Sequence, residues 1–155
     1  MNTSIHGVGY WLDLDDPKSK LPQPSWLPTH NLDNETKDIV LNYLRSGHTL
    51  MSCLGHSYCR FNCGIQDSGM GCRDFTDGTW FWPEGLHHYI EKHNLSLPNE
   101  FITHIIEMKG LVPLLENDAI KSLFSCDHSL KFWLKWSNKY KPNRNILSKI
   151  WERIG

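Results

Sequence analysis

The dipeptide Asp77-Gly78 lies between Arg73-Asp74-Phe75-Thr76 and Thr79-Trp80-Phe81-Trp82. Asp-Gly flanked by β-branched and aromatic residues is a hairpin signal. A type I′ turn needs positive φ at both central residues, which Asp tolerates and Gly adopts freely. Phe75, Trp80 and Trp82 then populate the strand faces. Pro83 follows at once. It cannot donate to a β-ladder but suits the first position of a helix. The spacing therefore predicts a helix over 83–93, with Leu86, Tyr89 and Ile90 inward and Asn94 as its C′ residue.

The remaining elements follow from periodicity. A helix is expected over 34–46, capped by Asp33 or Asn34, with Ile39, Val40, Tyr43 and Leu44 on one face and Gly47 as its left-handed stop. Residues 48–54 read as a short strand, and 58–63 as a second strand or a tight loop. Helices are expected over 98–109, ended by Gly110, and over 117–124. Another begins at Asp127 or Ser129 and carries Leu130, Trp133 and Leu134. A last one follows Pro142-Asn143 with Ile146, Leu147, Ile150, Trp151 and Ile154 at helical spacing. Residues 1–32, with Pro17, Pro22, Pro24 and Pro28, read as an extended arm pinned by Trp26 and Leu27. The order predicts an α+β fold, a small antiparallel sheet with a hairpin packed against several helices. One domain is expected over 1–155: an arm (1–32), a motif core (33–94) and a helical part (95–155).

Net charge is −1, so no global field calls for nucleic acid or a membrane surface. The charge is segregated. Residues 127–155 hold seven Lys or Arg, three of them Lys131, Lys135 and Lys139, against Asp127 and Glu152. The first 38 residues lean acidic. The five cysteines, the polar first nine residues and the lack of a long apolar run point to a cytoplasmic protein with reduced thiols.

Residues 56–93 concentrate the chemistry, with three of the five cysteines and four of the nine histidines. The string Cys59-Arg60-Phe61-Asn62-Cys63-Gly64, and Thr76-Asp77-Gly78 running through Trp80, Trp82-Pro83-Glu84-Gly85-Leu86 to His88-Tyr89, resemble a family of small bacterial proteins. That family shares CRFxCG and LTDGxWxWPEGLxHY. The likeness extends to Tyr43-Leu44-Arg45-Ser46-Gly47 and to Leu97-Pro98 with Glu100-Phe101, and spans residues 10–105. It implies no particular activity. Phe75 stands where the family usually has Leu, and Cys72 where Ser is common.

Three constellations follow. The first is a metal site. His56, Cys59, Cys63 and Cys72 are close in sequence, and His87 and His88 start a helix that can fold back on them. Zinc takes four N or S ligands in a tetrahedron at about 2.0–2.3 Å. The ligands expected first are Cys59, Cys63, His88 and His56. Buried thiols acting as small hydrophobes account for the same cysteines without metal. The second is a catalytic thiol, Cys59 or Cys63, with His87 or His88 as base, Asp77 as orienter and Arg60 lowering a neighbouring pKa. The third is Glu84 with His87 and His88 on one helix face. Glu84 also suits the helix dipole there, and Asp77 suits a turn.

No complete catalytic set is assembled from spacing, which argues against an enzyme. The leading expectation is a cytoplasmic module that binds another protein, as an immunity protein neutralises a toxin by occlusion. Trp80, Trp82, Lys131, Lys135 and Lys139 are its expected contacts. The alternative is a small zinc- or thiol-dependent enzyme centred on 56–93. A structural accessory protein is the plainest reading.

Overall fold

Helix formation begins where Asp33 leaves helical geometry and its Oδ1 accepts the Thr36 N–H at 2.7 Å. A computed structural model describes residues 3–16, 18–143, 149 and 152–154. In it α1 spans Asn34–Arg45, α2 Leu86–His93, α3 Asn99–Glu107, α4 Asn117–Phe124 and α5 Lys131–Asn138. The strands are β1 (Ser4–Gly7), β2 (His48–Ser52), β3 (Arg73–Thr76), β4 (Trp80–Pro83) and β5 (Asp127–Ser129). They form one sheet in the order β2-β3-β4-β1-β5. The fold is α+β, as the element order predicts. The sheet is mixed, however. β2, β3 and β4 run antiparallel, and β1 pairs parallel with both β4 and β5.

That pairing corrects the reading of residues 1–32 as an arm. Ser4–Gly7 is an interior strand, and Val8 and Trp11 beyond it are buried. The segment alternates exposed and buried residues, but four residues are too short a run to announce a strand; its partners β4 and β5 lie more than 70 residues away and supply the hydrogen bonds. Leu27 is buried in the main cluster, as expected of a pinning residue. Asp127–Ser129 likewise forms β5 rather than the start of a helix, and α5 begins at Lys131. The last helix expected after Pro142-Asn143 rests on residues 144–148, 150 and 151, which lie outside the described residues.

The hairpin forms at the expected place with a different turn. Asp77 N–H donates to Trp80 C=O, and of the turn residues only Gly78 takes positive φ, at 95°. The turn centres on Gly78-Thr79, with Gly first as in type II′ turns. Asp77 is freed to act through its side chain. Its Oδ1 accepts the Thr79 and Trp80 amides, and its Oδ2 accepts Tyr43 Oη–H and His104 Nε2–H. Pro83 ends β4 instead of opening a helix, and Gly85 precedes α2.

Alternation along β4 sends Trp80 and Trp82 to one face and Phe81 to the other. On the main face Trp82 has no exposure. It stacks on Tyr43, meets Phe101 with ring centroids 5.6 Å apart, and donates its Nε1–H to Leu44 C=O. On the other face Phe81 joins Ile5 and Leu50, covered by Leu123 and Leu130. Trp80 and Trp82 are thus core residues. This corrects their reading as partner contacts, because burial on both sides leaves no indole to present.

Gly47 has a different reason from the one expected. It is not left-handed. A Cβ there would fall 2.6 Å from Phe75 Cβ and 2.8 Å from Trp82 Cζ2. The glycine lets the end of α1 press against the hairpin.

Candidate metal centre

The segment from Cys59 to Gly64 turns tightly. Asn62 N–H returns to Cys59 C=O at 3.0 Å, and Asn62 and Gly64 both take positive φ. Such a turn points the two cysteine side chains the same way. Helix α2 holds it in place. Tyr89 Oη accepts the Arg60 N–H at 3.0 Å, and the Phe61 ring lies on His93 with centroids 4.4 Å apart. His88 and His93, on the same helix, project toward the turn.

The result is a cluster of Cys59, Cys63, His88 and His93 whose ligand atoms all lie within 4.8 Å of one another. Cys59 Sγ is 3.4 Å from His93 Nε2, and Cys63 Sγ is 3.3 Å from His88 Nε2. Tetrahedral zinc with the usual bond lengths sets ligand atoms about 3.3–3.8 Å apart. These two separations fall at the near end of that range, and the other ligand atoms, within 4.8 Å, need to close by up to about 1 Å. The donor set, two thiols and two imidazoles, suits a metal of zinc's softness. The spacing Cys-x3-Cys and His-x4-His fits structural zinc patterns.

Burial sets the protonation states. Desolvation, and then the neighbouring Cys63, push the Cys59 thiol above its usual pKa. Desolvation lowers His88 and His93, with His93 adding to the effect on His88. Burial thus favours the neutral imidazoles, the form that ligates metal, and a cation between the sulfurs would convert the thiols to thiolates. A catalytic thiol needs the reverse, a depressed pKa beside an imidazolium.

Of the four ligands expected first, Cys59, Cys63 and His88 come together here. His56 does not. It is exposed on the outer side of the loop, where Ser57 N–H is tied to Gly71 C=O. Cys72 is also elsewhere, its N–H held by Glu84 Oε2 at 3.1 Å. His93 is the residue the sequence reading passed over, although it stands five residues after His88. Counting His-x4-His along the helix would have found it. His87 is half-buried and outside the cluster, and its pKa is lowered by burial and then by Arg45. Asp77 belongs to the Tyr43–His104 network and orients neither thiol. Glu84 pairs with Arg73, Oε1 to Nη2 at 2.7 Å, rather than with His87 or His88. Lys131, Lys135 and Lys139 are exposed along α5 and just past its end.

The expectation against an enzyme is corrected by this cluster. It rested on the lack of a complete reactive set in the sequence. Tertiary folding assembles a cluster able to hold a metal ion, from two loop residues and two helix residues 25 or more positions away. One side of it is open. Cys63 is exposed, and a cleft of about 250 Å³ beside it is lined by Tyr58, Cys59, Asn62, Cys63, Ile65 and Asp67.

No family model matches the chain, and neither a curated protein nor a solved structure matches it. Among the described residues no helix is long and apolar enough to cross a membrane.

Proposed function

We propose that the chain is a small zinc-dependent enzyme whose single ion is held by Cys59, Cys63, His88 and His93. The observation that carries the reading is the convergence of four N and S ligand atoms within 4.8 Å. Cys59, His88 and His93 are buried or half-buried and form the fixed three-ligand platform. Cys63 is the exposed ligand and the one that can yield its place to a group entering from the cleft. Zinc bound there supplies Lewis acidity. Asp67, on the cleft wall, is the carboxylate placed to take a proton from an incoming nucleophile. Tyr89 and Phe61 keep the loop seated on α2.

The test is metal analysis of protein purified without chelator, followed by a panel of chromogenic ester, amide and phosphoester probes. About one zinc per chain, with turnover lost on chelation and restored by zinc, supports the reading. Zinc without turnover on any probe removes the catalytic part. No zinc at micromolar free metal removes the whole.

A second reading keeps one observation. Lys131, Lys135 and Lys139 recur every four residues and are all exposed, a basic stripe suited to an acidic protein partner held by occlusion. Salt-sensitive recovery of a stoichiometric partner, abolished by replacing the three lysines with Glu, would support it.

A further inference from the structure

Two other cysteines face each other at the base of the metal loop. In the β2–β3 ladder Met51 faces Asp74 and Ser52 faces Arg73. The next pair outward is Cys53 and Cys72, and the Cys53 N–H donates to the Cys72 C=O at 2.7 Å. Residues opposed in an antiparallel pair send their side chains to the same face, with Cβ atoms about 4.5–5.5 Å apart. A disulfide needs Cβ atoms about 3.5–4.5 Å apart and Cα atoms about 4.4–6.8 Å apart. The Cys53 N–H···O=C Cys72 bond marks a hydrogen-bonded pair, the wider kind, so the strand ends must close by about 1 Å to bring the two sulfurs into bonding range. Burial, then Asp74, then Cys72 raise the pKa of the Cys53 thiol, in keeping with this shared face.

Both groups can be reached. Cys53 is exposed and Cys72 half-exposed, and both are free thiols. The other cysteines are otherwise placed. Cys59 and Cys63 belong to the metal cluster, and Cys126 donates to Leu123 C=O on the far edge of the sheet. Everything between Cys53 and Cys72, including Cys59 and Cys63, is the loop that these two residues close.

We infer that Cys53 and Cys72 are a redox-active pair whose cross-strand disulfide clasps the base of the metal-binding loop. The oxidant is a low-molecular-weight disulfide. Cys72 thiolate attacks one of its sulfurs, the external S–S bond breaks and one thiolate leaves. Cys53 thiolate then attacks the Cys72 sulfur and displaces the second thiolate. The protein sulfurs are oxidised to a disulfide, and the reagent is reduced to two thiols that take up the two protons given by Cys53 and Cys72. The pair does not depend on metal for its geometry, so this inference stands apart from the zinc reading.

The test treats the reduced full chain, with one equivalent of zinc added, with oxidised glutathione at mildly alkaline pH. Non-reducing peptide mapping must separate Cys53 from Cys59 and Cys63 from Cys72. The expected result is one Cys53–Cys72 crosslink, loss of two titratable thiols per chain, and a single glutathione adduct without crosslink in Cys53→Ser. Stable glutathione on both Cys53 and Cys72, or a crosslink between other cysteines in preference, would overturn the assignment. Trypsin cleavage after Arg60, measured after chelation, should be several-fold slower in the oxidised chain than in the reduced one. Equal rates would overturn the clasp.

Discussion

Cys63 Sγ lies 3.3 Å from His88 Nε2, although 25 positions separate the two residues. Between them the chain passes through the whole β3–β4 hairpin. The hairpin therefore sets where α2 starts, and α2 sets where the imidazoles meet the cysteine turn.

Removing one ligand should cost metal while removing a neighbouring histidine should not. Cys59→Ser and His93→Ala are each expected to weaken zinc binding at least tenfold in competition with a chromogenic chelator. His56→Ala should bind as the parent does, because His56 is exposed and outside the cluster. Zinc should also be released as pH falls, since protons compete for the thiolates and imidazoles.

Asp77 carries the largest predicted stability effect. Its buried carboxylate accepts from Tyr43, His104, Thr79 and Trp80 at 2.7–2.8 Å. Asp77→Ala removes the acceptor that all four donors share, leaving Tyr43 and His104 only their mutual 3.5 Å contact, and should destabilise by about 3 kcal/mol or more. Tyr43→Phe removes the bond to Asp77 and the longer contact with His104 but leaves the carboxylate its other donors, and should cost about 1 kcal/mol. Urea unfolding followed by tryptophan fluorescence measures both. Equal losses would mean that the carboxylate is not the hub.

At Gly47 the prediction is steric. An added methyl meets Phe75 and Trp82 at less than 3 Å, and neither is the free end of a flexible chain. Gly47→Ala should lower stability by about 1–3 kcal/mol and shift the near-ultraviolet circular dichroism of the buried Trp82. A neutral or stabilising result would show that the α1–hairpin contact is looser than this.

Glu84 ties part of the fold's stability to pH. Hydrogen bonding from Arg73, aided by the Cys72 amide, holds its carboxyl below the ordinary value of 4.5. A depressed carboxylate binds fewer protons folded than unfolded. Its contribution is therefore present above pH 4.5 and is lost as pH falls through the lower, folded value. Glu84→Gln should flatten the acid side of the stability profile and leave its slope near neutrality unchanged. Midpoints of urea unfolding between pH 3 and pH 7 give the comparison.

Local chemistry was enough for much of this protein. The Asp33 cap, the left-handed Asn94 after α2, the short α4 and the position of the hairpin depend on neighbours in sequence, whose sterics and hydrogen bonding act within a few residues. The concentration of Cys and His in 56–93 was equally legible. Long-range packing decided the rest. β1 and β5 exist as strands because each lends backbone groups to the other, and β1 also to β4, and Ser4–Gly7 and Asp127–Ser129 are too short for their own patterns to announce it. Trp80 and Trp82 read equally well as anchors or as core until both sheet faces are covered. The choice of His93 over His56 was settled by which side of the loop faces α2, a direction fixed by Tyr89, Phe61 and the positive φ of Asn62.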